Sequence, residues 1–272
     1  MDLGIADRVA LVAGGSSGIG LAIAKELARE GAHVAIGARD RERLDAARRE
    51  VADVARGRVL GTSVDITDTA AARRWVDEVA AEFGALHIVV VSGGSPPFGP
   101  PSRFEVDDYR AAVDQIVVPA VGLALAALPY LKGWGRLIFV ASETATQPIA
   151  PLALSGVTRA GLVRFAQTLA TEVGRDGITV NVLAPGHTRT PPMERLAARL
   201  AGGDGDVEGE LRAMGEHSAV GRLACPDEVA AVATFLASAR ASFVTGAVHL
   251  VDGGASVVGP HLPHLTTDRE NP

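Results

Sequence analysis

The stretch RVALVAGGSSGIG, residues 8–20, runs from an apolar segment into a glycine-rich turn and then into an alanine-rich segment with helical spacing. RVALVA (8–13) reads as a short buried strand, and the segment from about residue 19 to 30 reads as a helix. Between them stand Gly14, Gly18 and Gly20, with Ser16, Ser17 and Ile19 filling the turn. An anion can approach a main chain closely only where Cβ atoms are absent. A helix N-terminus adds unpaired N–H groups and a partial positive charge to receive it. A glycine triplet alone says little, but one set between a strand and a helix is the signature of a pyrophosphate cradle.

Working outward, the same alternation repeats along the chain. HVAIGA (33–38), RVLGTSV (58–64), HIVVV (87–91), RLIFVA (136–141), ITVNVLA (178–184) and AVHLV (247–251) complete a set of about seven strands. Helix-patterned segments lie near 19–30, 40–55, 67–83, 107–131, 155–173, 192–214 and 226–238. Such βα alternation predicts an α/β fold with a parallel sheet, helices on both faces and ligands at the carboxyl ends of the strands. One domain over 1–272 is expected, with a lid at 191–220 and a C-terminal tail at 259–272 that could cover a neighbouring subunit's pocket. Two loops break the pattern: SGGSPPFGPPSR (92–103) and AGGDGDVEGE (201–210).

Composition narrows the class. A chain of 272 residues, 47% hydrophobic, can bury a large core, and a net charge of −6 without a basic stripe argues against nucleic acid as a partner. The expected partner is a small molecule. The single cysteine, Cys225, excludes an internal disulfide; just before Pro226-Asp227-Glu228 it reads as a partly buried thiol at a helix start. No targeting segment is read at the N-terminus and no later run as a membrane span, so a cytoplasmic protein without a membrane partner is expected. No His/Cys/Asp/Glu group has metal-ligand spacing, and no metal is expected.

Three motifs together carry a resemblance. Gly14-x-x-x-Gly18-x-Gly20, the Asp65-Ile66 pair after the third strand, and Pro185-Gly186-His187-Thr188-Arg189-Thr190 after the sixth are similar to the short-chain dehydrogenase/reductase family. The likeness runs from about Ala6 to Gly254, most like the divergent ketoacyl-carrier-protein-reductase-like subgroup with imperfect catalytic residues. It implies a doubly wound, Rossmann-type sheet and a homodimer or homotetramer. The apolar helices 107–131 and 155–173 would pack against the partner. It also implies that the turn from Gly14 to Gly20 holds the cofactor pyrophosphate and that Asp65 and Ile66 flank the adenine. Pro185, Gly186, Thr188 and Thr190 would hold the nicotinamide amide, and Gly93, in the altered motif after strand four, would lie along the cofactor. At the end of the second strand, Arg39 suits the 2′-phosphate of NADP(H), because a guanidinium pairs bidentately with phosphate. NAD(H) is the alternative. Asp40 reads as the cap of the next helix.

The catalytic positions depart from the resemblance. The family's usual set is Asn, Ser, Tyr and Lys, in which a phenol made more acidic by an ammonium protonates the forming alkoxide. Here Ile116 stands at the Asn position and Ser142 keeps the Ser. Thirteen residues on, Ser155 replaces the tyrosine, and four further Arg159 replaces the lysine. Val91-Ser92-Gly93-Gly94 replaces the Asn-Asn-Ala-Gly motif. The only tyrosines, Tyr109 and Tyr130, and the only lysines, Lys25 and Lys132, map away from the site. Ser142, Ser155 and Arg159 are therefore the expected catalytic groups, donating hydrogen bonds to an oxyanion. That predicts an atypical NADPH-dependent oxidoreductase, acting on a carbonyl or on a conjugated enone- or quinone-like acceptor whose reduced form is a stabilised anion. The alternatives are a nucleotide-binding protein without catalysis, and dehydratase or cyclase chemistry on the same scaffold. His187 reads as an exposed loop histidine or an acid, and Glu143 as a solvated loop charge.

Overall fold

In β1 (Val9–Ala13) the side chains divide between two cores with the strand period of two: Val9, Leu11 and Ala13 point into one, Ala10 and Val12 into the other. All five are buried, so β1 is a central strand covered on both faces. This computed structural model describes residues 2–202 and 205–257. The tail expected at 259–272 lies outside the described residues.

The elements follow in chain order: α1 (Gly18–Arg29), β2 (His33–Ala38), α2 (Arg41–Val54), β3 (Val59–Ser63), α3 (Thr69–Phe83) and β4 (Ile88–Val91). Then come α4 (Val106–Leu131), β5 (Gly135–Val140), α5 (Ala153–Val173), β6 (Ile178–Pro185), α6 (Pro191–Ala201), α7 (Val207–Gly215), α8 (Pro226–Leu236) and β7 (Val248–Val251). All seven strands are parallel, in the order β3-β2-β1-β4-β5-β6-β7. The order reverses beside β1, between β1 and β4, which opens a crevice at the carboxyl ends of those two strands. The register places Ala13 beside Gly37 on one side and Val91 on the other, so the turns after β1, β2 and β4 leave the sheet at one level.

Helices α3, α4 and α5 cover one face around Trp75, Leu123, Phe139 and Leu162, and α1, α2 and α8 cover the other around Ile23, Leu27, Ile36 and Leu236. Burying each such side chain stabilises the fold by roughly 1.5–3 kcal/mol. Caps fix where the helices start. Asp40 accepts from the Arg43 N–H at the head of α2, as its sequence position suggests, and Asp68 accepts from Ala70 and Ala71 at the head of α3.

Three sequence expectations change. Helix α4 is long and apolar enough, by length and composition, to cross a membrane. Ala120, Leu123, Ala124, Ala127 and Leu131 spend that apolarity on the core beneath α3 and α5, so its composition reflects burial within the domain. The helical stretch expected over 192–214 is two helices, with the break between Ala201 and Val207. Cys225 is exposed: it is the N-cap of α8, and the cap position holds its side chain at the surface.

Candidate active site

Two turns from opposite halves of the sheet meet at the crevice. At Gly14 the backbone is left-handed, with φ +72°, and a Cβ there would stand 1.9 Å from the Ser92 carbonyl oxygen. Only glycine lets the β1 turn lie against the β4 turn. At Gly18 φ is +53° and a Cβ would lie 3.2 Å from Cγ2 of Thr190, so the start of α1 faces the turn after β6. Ser17 provides no side-chain cap to α1, and the first helical N–H to find a backbone acceptor is that of Leu21, on the Ser17 carbonyl. The N–H groups of Gly18, Ile19 and Gly20 are thus an uncapped helix N-terminus at the crevice. At the end of β2, Arg39 is largely exposed, with Nη1 4.0 Å from Asp65 Oδ2. Asp65 also accepts from the backbone N–H and the hydroxyl of Thr67. Ile66 packs at the edge of the core under α3.

A cleft of about 1500 Å³ opens at the carboxyl ends of β1, β4, β5 and β6. Ile19, Pro185, Gly186, Thr188 and Thr190 line it, and so do Ser142, Ser155 and Arg159. Ser142 follows β5 directly, and its Oγ accepts from the Thr144 N–H at 3.3 Å. Ser155 and Arg159 are one turn apart on α5 and share its cleft face. The Ser155 hydroxyl is buried and lies 2.9 Å from the Thr144 hydroxyl. Thr144 therefore belongs to the site although sequence reasoning missed it. The available signal was its place two residues after Ser142, in the short turn leaving β5.

The Arg159 guanidinium is buried with no carboxylate beside it. Nη1 donates to the Val140 carbonyl at 3.4 Å, and Nη2 donates to the carbonyls of Gly93 and Gly94. This cation pins the β4 loop to α5, while its Nε is buried without a partner. Burial pushes its pKa down to about 10, so the group is still charged at neutral pH. Ile116, at the position the family resemblance gives to Asn, is buried with its side chain against Gly94. Tyr109 donates to the Pro101 carbonyl at 3.4 Å and Tyr130 donates to Asp77 at 2.8 Å. Lys25 pairs with Glu50 and Lys132 with Asp176. None of the described residues lining the cleft is a tyrosine or a lysine.

Glu143 reverses its sequence reading. It is buried, 4% exposed, because the turn leaving β5 tucks its side chain beneath the turn after β6. Gln147 Nε2 donates to its carboxylate at 3.2 Å. Burial pushes its pKa above the ordinary carboxylate value, against the pull of His187; Asp252 pushes it further up and the Gln147 bond pulls it down. His187 is half-buried, with Nδ1 3.2 Å from the Met214 carbonyl in α7 and its ring edge-on to His217 at 6.2 Å. Beyond it, α6 and α7 are joined through Arg189, which bonds Glu194 at 3.1 Å and Glu208 at 2.6 Å.

A glycine-lined turn, an uncapped helix start and a facing turn after β6 on a seven-stranded parallel sheet define a doubly wound nucleotide-site architecture. The comparisons with known proteins then assign the family. The family described as Enoyl-(Acyl carrier protein) reductase matches residues 13–256. Cis-4-hydroxycyclohexanecarboxylate dehydrogenase of Sinomonas cyclohexanicum is 35% identical over 259 residues, covering 93% of this chain and 98% of its own. The 3-oxoacyl-[acyl-carrier-protein] reductase of Salmonella typhimurium is 32% identical over 253 residues, covering 92% and 98%. L-sorbose reductase of Gluconobacter frateurii, solved with NADPH and L-sorbose, superposes with a TM-score of 0.91 at 36% identity, covering 95% of this chain and all of its own. The chain belongs to the short-chain dehydrogenase/reductase family of oxidoreductases.

Proposed function

We propose that this protein is an NADPH-dependent reductase that acts without a phenolic acid, and that Ser142, Ser155 and Arg159 form its oxyanion-binding and charge-bearing groups. The observation carrying this reading is the single cleft that all three line together with Ile19, Pro185, Gly186, Thr188 and Thr190. The cradle fits a dinucleotide: a Cβ at Gly14 would fill it, and the uncapped N-terminus of α1 offers N–H donors with no competing side chain. Gly14, Ser16, Ser17, Gly18, Ile19 and Gly20 would hold the pyrophosphate, Asp65 and Ile66 the adenine, and Gly93, Pro185, Gly186, Thr188 and Thr190 the nicotinamide end. Exposed Arg39 favours the 2′-phosphate over a bare ribose hydroxyl. Bound there, a reduced nicotinamide supplies the hydride.

The protein's own groups orient the acceptor and stabilise charge on its oxygen. Ser155 is held by Thr144, Ser142 by the turn it caps, and Arg159 adds a fixed, buried positive charge at the cleft. Helices α6 and α7, which contribute Met193, Leu196 and Met214 to the cleft, would act as the lid. The apolar side chains Val118 and Leu125 on α4 and Val157 on α5 are exposed and suit a subunit contact in a homodimer or homotetramer. Fluorescence titration with NADPH and NADH, followed by turnover on simple ketones, enones and quinones, tests the reading. We expect tighter binding of NADPH and faster turnover of enones or quinones. Tight binding without oxidation of NADPH by any acceptor would overturn it.

A further inference from the structure

Reduction of a carbonyl adds hydride to carbon, sends the π pair to oxygen, and needs a proton for that oxygen. Neither group on α5 releases one readily. Ser155 is a weak acid paired to Thr144, and Arg159 has its donors on backbone carbonyls and is still charged at neutral pH. A titratable pair that this scheme does not use faces the same cleft: Glu143, next in chain to Ser142, and His187, second residue after Pro185.

The tautomer of His187 follows from its contact. A carbonyl oxygen can only accept, so Nδ1, 3.2 Å from the Met214 carbonyl, carries a hydrogen in both the neutral and the charged ring. Nε2 is the nitrogen that gains and loses the proton. Glu143, fixed by Gln147 and nearly removed from water, lines the same cleft as that ring, whose pull on its carboxyl opposes the effect of burial. Asp252 just after β7, Glu216 and His217 after α7, the paired Arg222 and Glu228, and Arg159 on α5 are the other titratable groups lining this cleft.

We propose that His187 is the proton donor of the reaction, delivering from Nε2 to the oxygen left by hydride addition, with its ring held through Nδ1 on the Met214 carbonyl and Glu143 flanking it in the same cleft. The proposal rests on the reductase reading above. With hydride supplied by a bound reduced nicotinamide, the C=O bond would become C–H and O–H, His187 would give its Nε2 proton to the oxygen, and solvent would return a proton to the ring at the mouth of the cleft. The alcohol oxidation is the same path reversed, with neutral Nε2 as base. The step is non-local in sequence: the donor comes from the turn after β6, whereas Ser155, at the position the family resemblance gives to tyrosine, is on α5.

The test combines nitrogen NMR of the free protein with kinetics of His187→Asn and Glu143→Gln. In the free protein the neutral ring of His187 should be the Nδ1–H tautomer. In kinetics, His187→Asn should bind NADPH as wild type does but lose about 100-fold in kcat, the scale of a positioned general acid, with partial recovery in added imidazole. Wild type should show a fall in kcat on the alkaline side of its pH profile, and His187→Asn should lose it. Glu143→Gln should lower kcat with KM little changed, and Glu143→Asp should recover part of the loss. An Nε2–H tautomer, or wild-type kcat in His187→Asn while wild type binds and oxidises NADPH, would overturn this proposal alone. Failure of wild type to turn over any acceptor would overturn the reductase reading and this one with it.

Discussion

The crevice has two walls, and they constrain the chain in different ways. At the β1 wall the requirement falls on the backbone: Gly14 cannot carry a Cβ because the Ser92 carbonyl occupies that space, and no neighbouring side chain can be exchanged to relieve it. At the β5–α5 wall the requirement falls on side chains: Ser155 and Arg159, at the positions where the family resemblance expects tyrosine and lysine, sit on an unbroken α5 that packs into the core. On the proposed roles, the fold accommodates side-chain exchange at the positions assigned to the chemistry and resists it at Gly14, assigned to the cofactor. A chain can keep the nucleotide site and rebuild the reaction beside it.

The sharpest way to break this comparison is Gly14→Ala. Overpacking against a carbonyl together with left-handed strain should cost about 2–4 kcal/mol and lower NADPH affinity by more than about 100-fold. Chemical denaturation and NADPH fluorescence read the two effects. A variant with wild-type stability would show that the β1 and β4 turns separate easily, and the rigid wall would be no such thing.

The second prediction works on the other wall. Ser155→Tyr combined with Arg159→Lys should leave the fold intact and raise kcat/KM on simple ketones modestly, by about 10-fold. The gain is limited because Ile116 still blocks the Asn position and because losing the guanidinium frees the Gly93 and Gly94 carbonyls. No gain would mean that the pocket around the substrate, and not only the acid, has diverged. Steady-state kinetics on a ketone series decide it.

What could be read from the sequence follows the same division. The strand alternation, the glycine turn, the Asp40 cap and the count of about seven strands rest on local periodicity and backbone rules, which a single chain displays, whereas the doubly wound topology came from the family resemblance. The positions of Ser142, Ser155 and Arg159 followed from spacing along one strand end and one helix face, and the three line one cleft. Glu143 did not, since a carboxylate in a loop is ordinarily solvated; its burial depends on the β6 turn, 40 or so residues away, closing over it. Thr144 is hidden for the same reason, because its partner Ser155 is brought to it only by the packing of α5. The exposure of Cys225 and the break between α6 and α7 are likewise set by how the segment after β6 folds back.

A smaller effect sharpens the side-chain wall. Ser155→Ala removes one partner of a buried hydroxyl pair and leaves the Thr144 hydroxyl without it, which should cost about 1 kcal/mol. Ser155→Ala combined with Thr144→Val removes both partners and should be nearer neutral. If the single and double variants lose the same stability by denaturant midpoint, the two hydroxyls are not coupled.

The smallest effect concerns Glu143 and shows itself only against pH. Its folded pKa lies above its ordinary value of 4.5, chiefly because burial disfavours the carboxylate. The native state then holds the proton to higher pH than the unfolded chain does, so the unfolded state binds fewer protons as pH rises and stability falls across the window between the two values. Below the unfolded value the carboxyl is neutral in both states and the penalty is absent. Glu143→Gln abolishes the titration, so the melting temperature of the variant relative to wild type should rise as pH goes from about 4 to about 8. The attraction of His187 opposes burial, and a difference that stays flat or falls with pH would mean that the pair holds Glu143 ionised at no cost to the fold. In that case the β5 wall would be as fixed in its charge as the β1 wall is in its backbone.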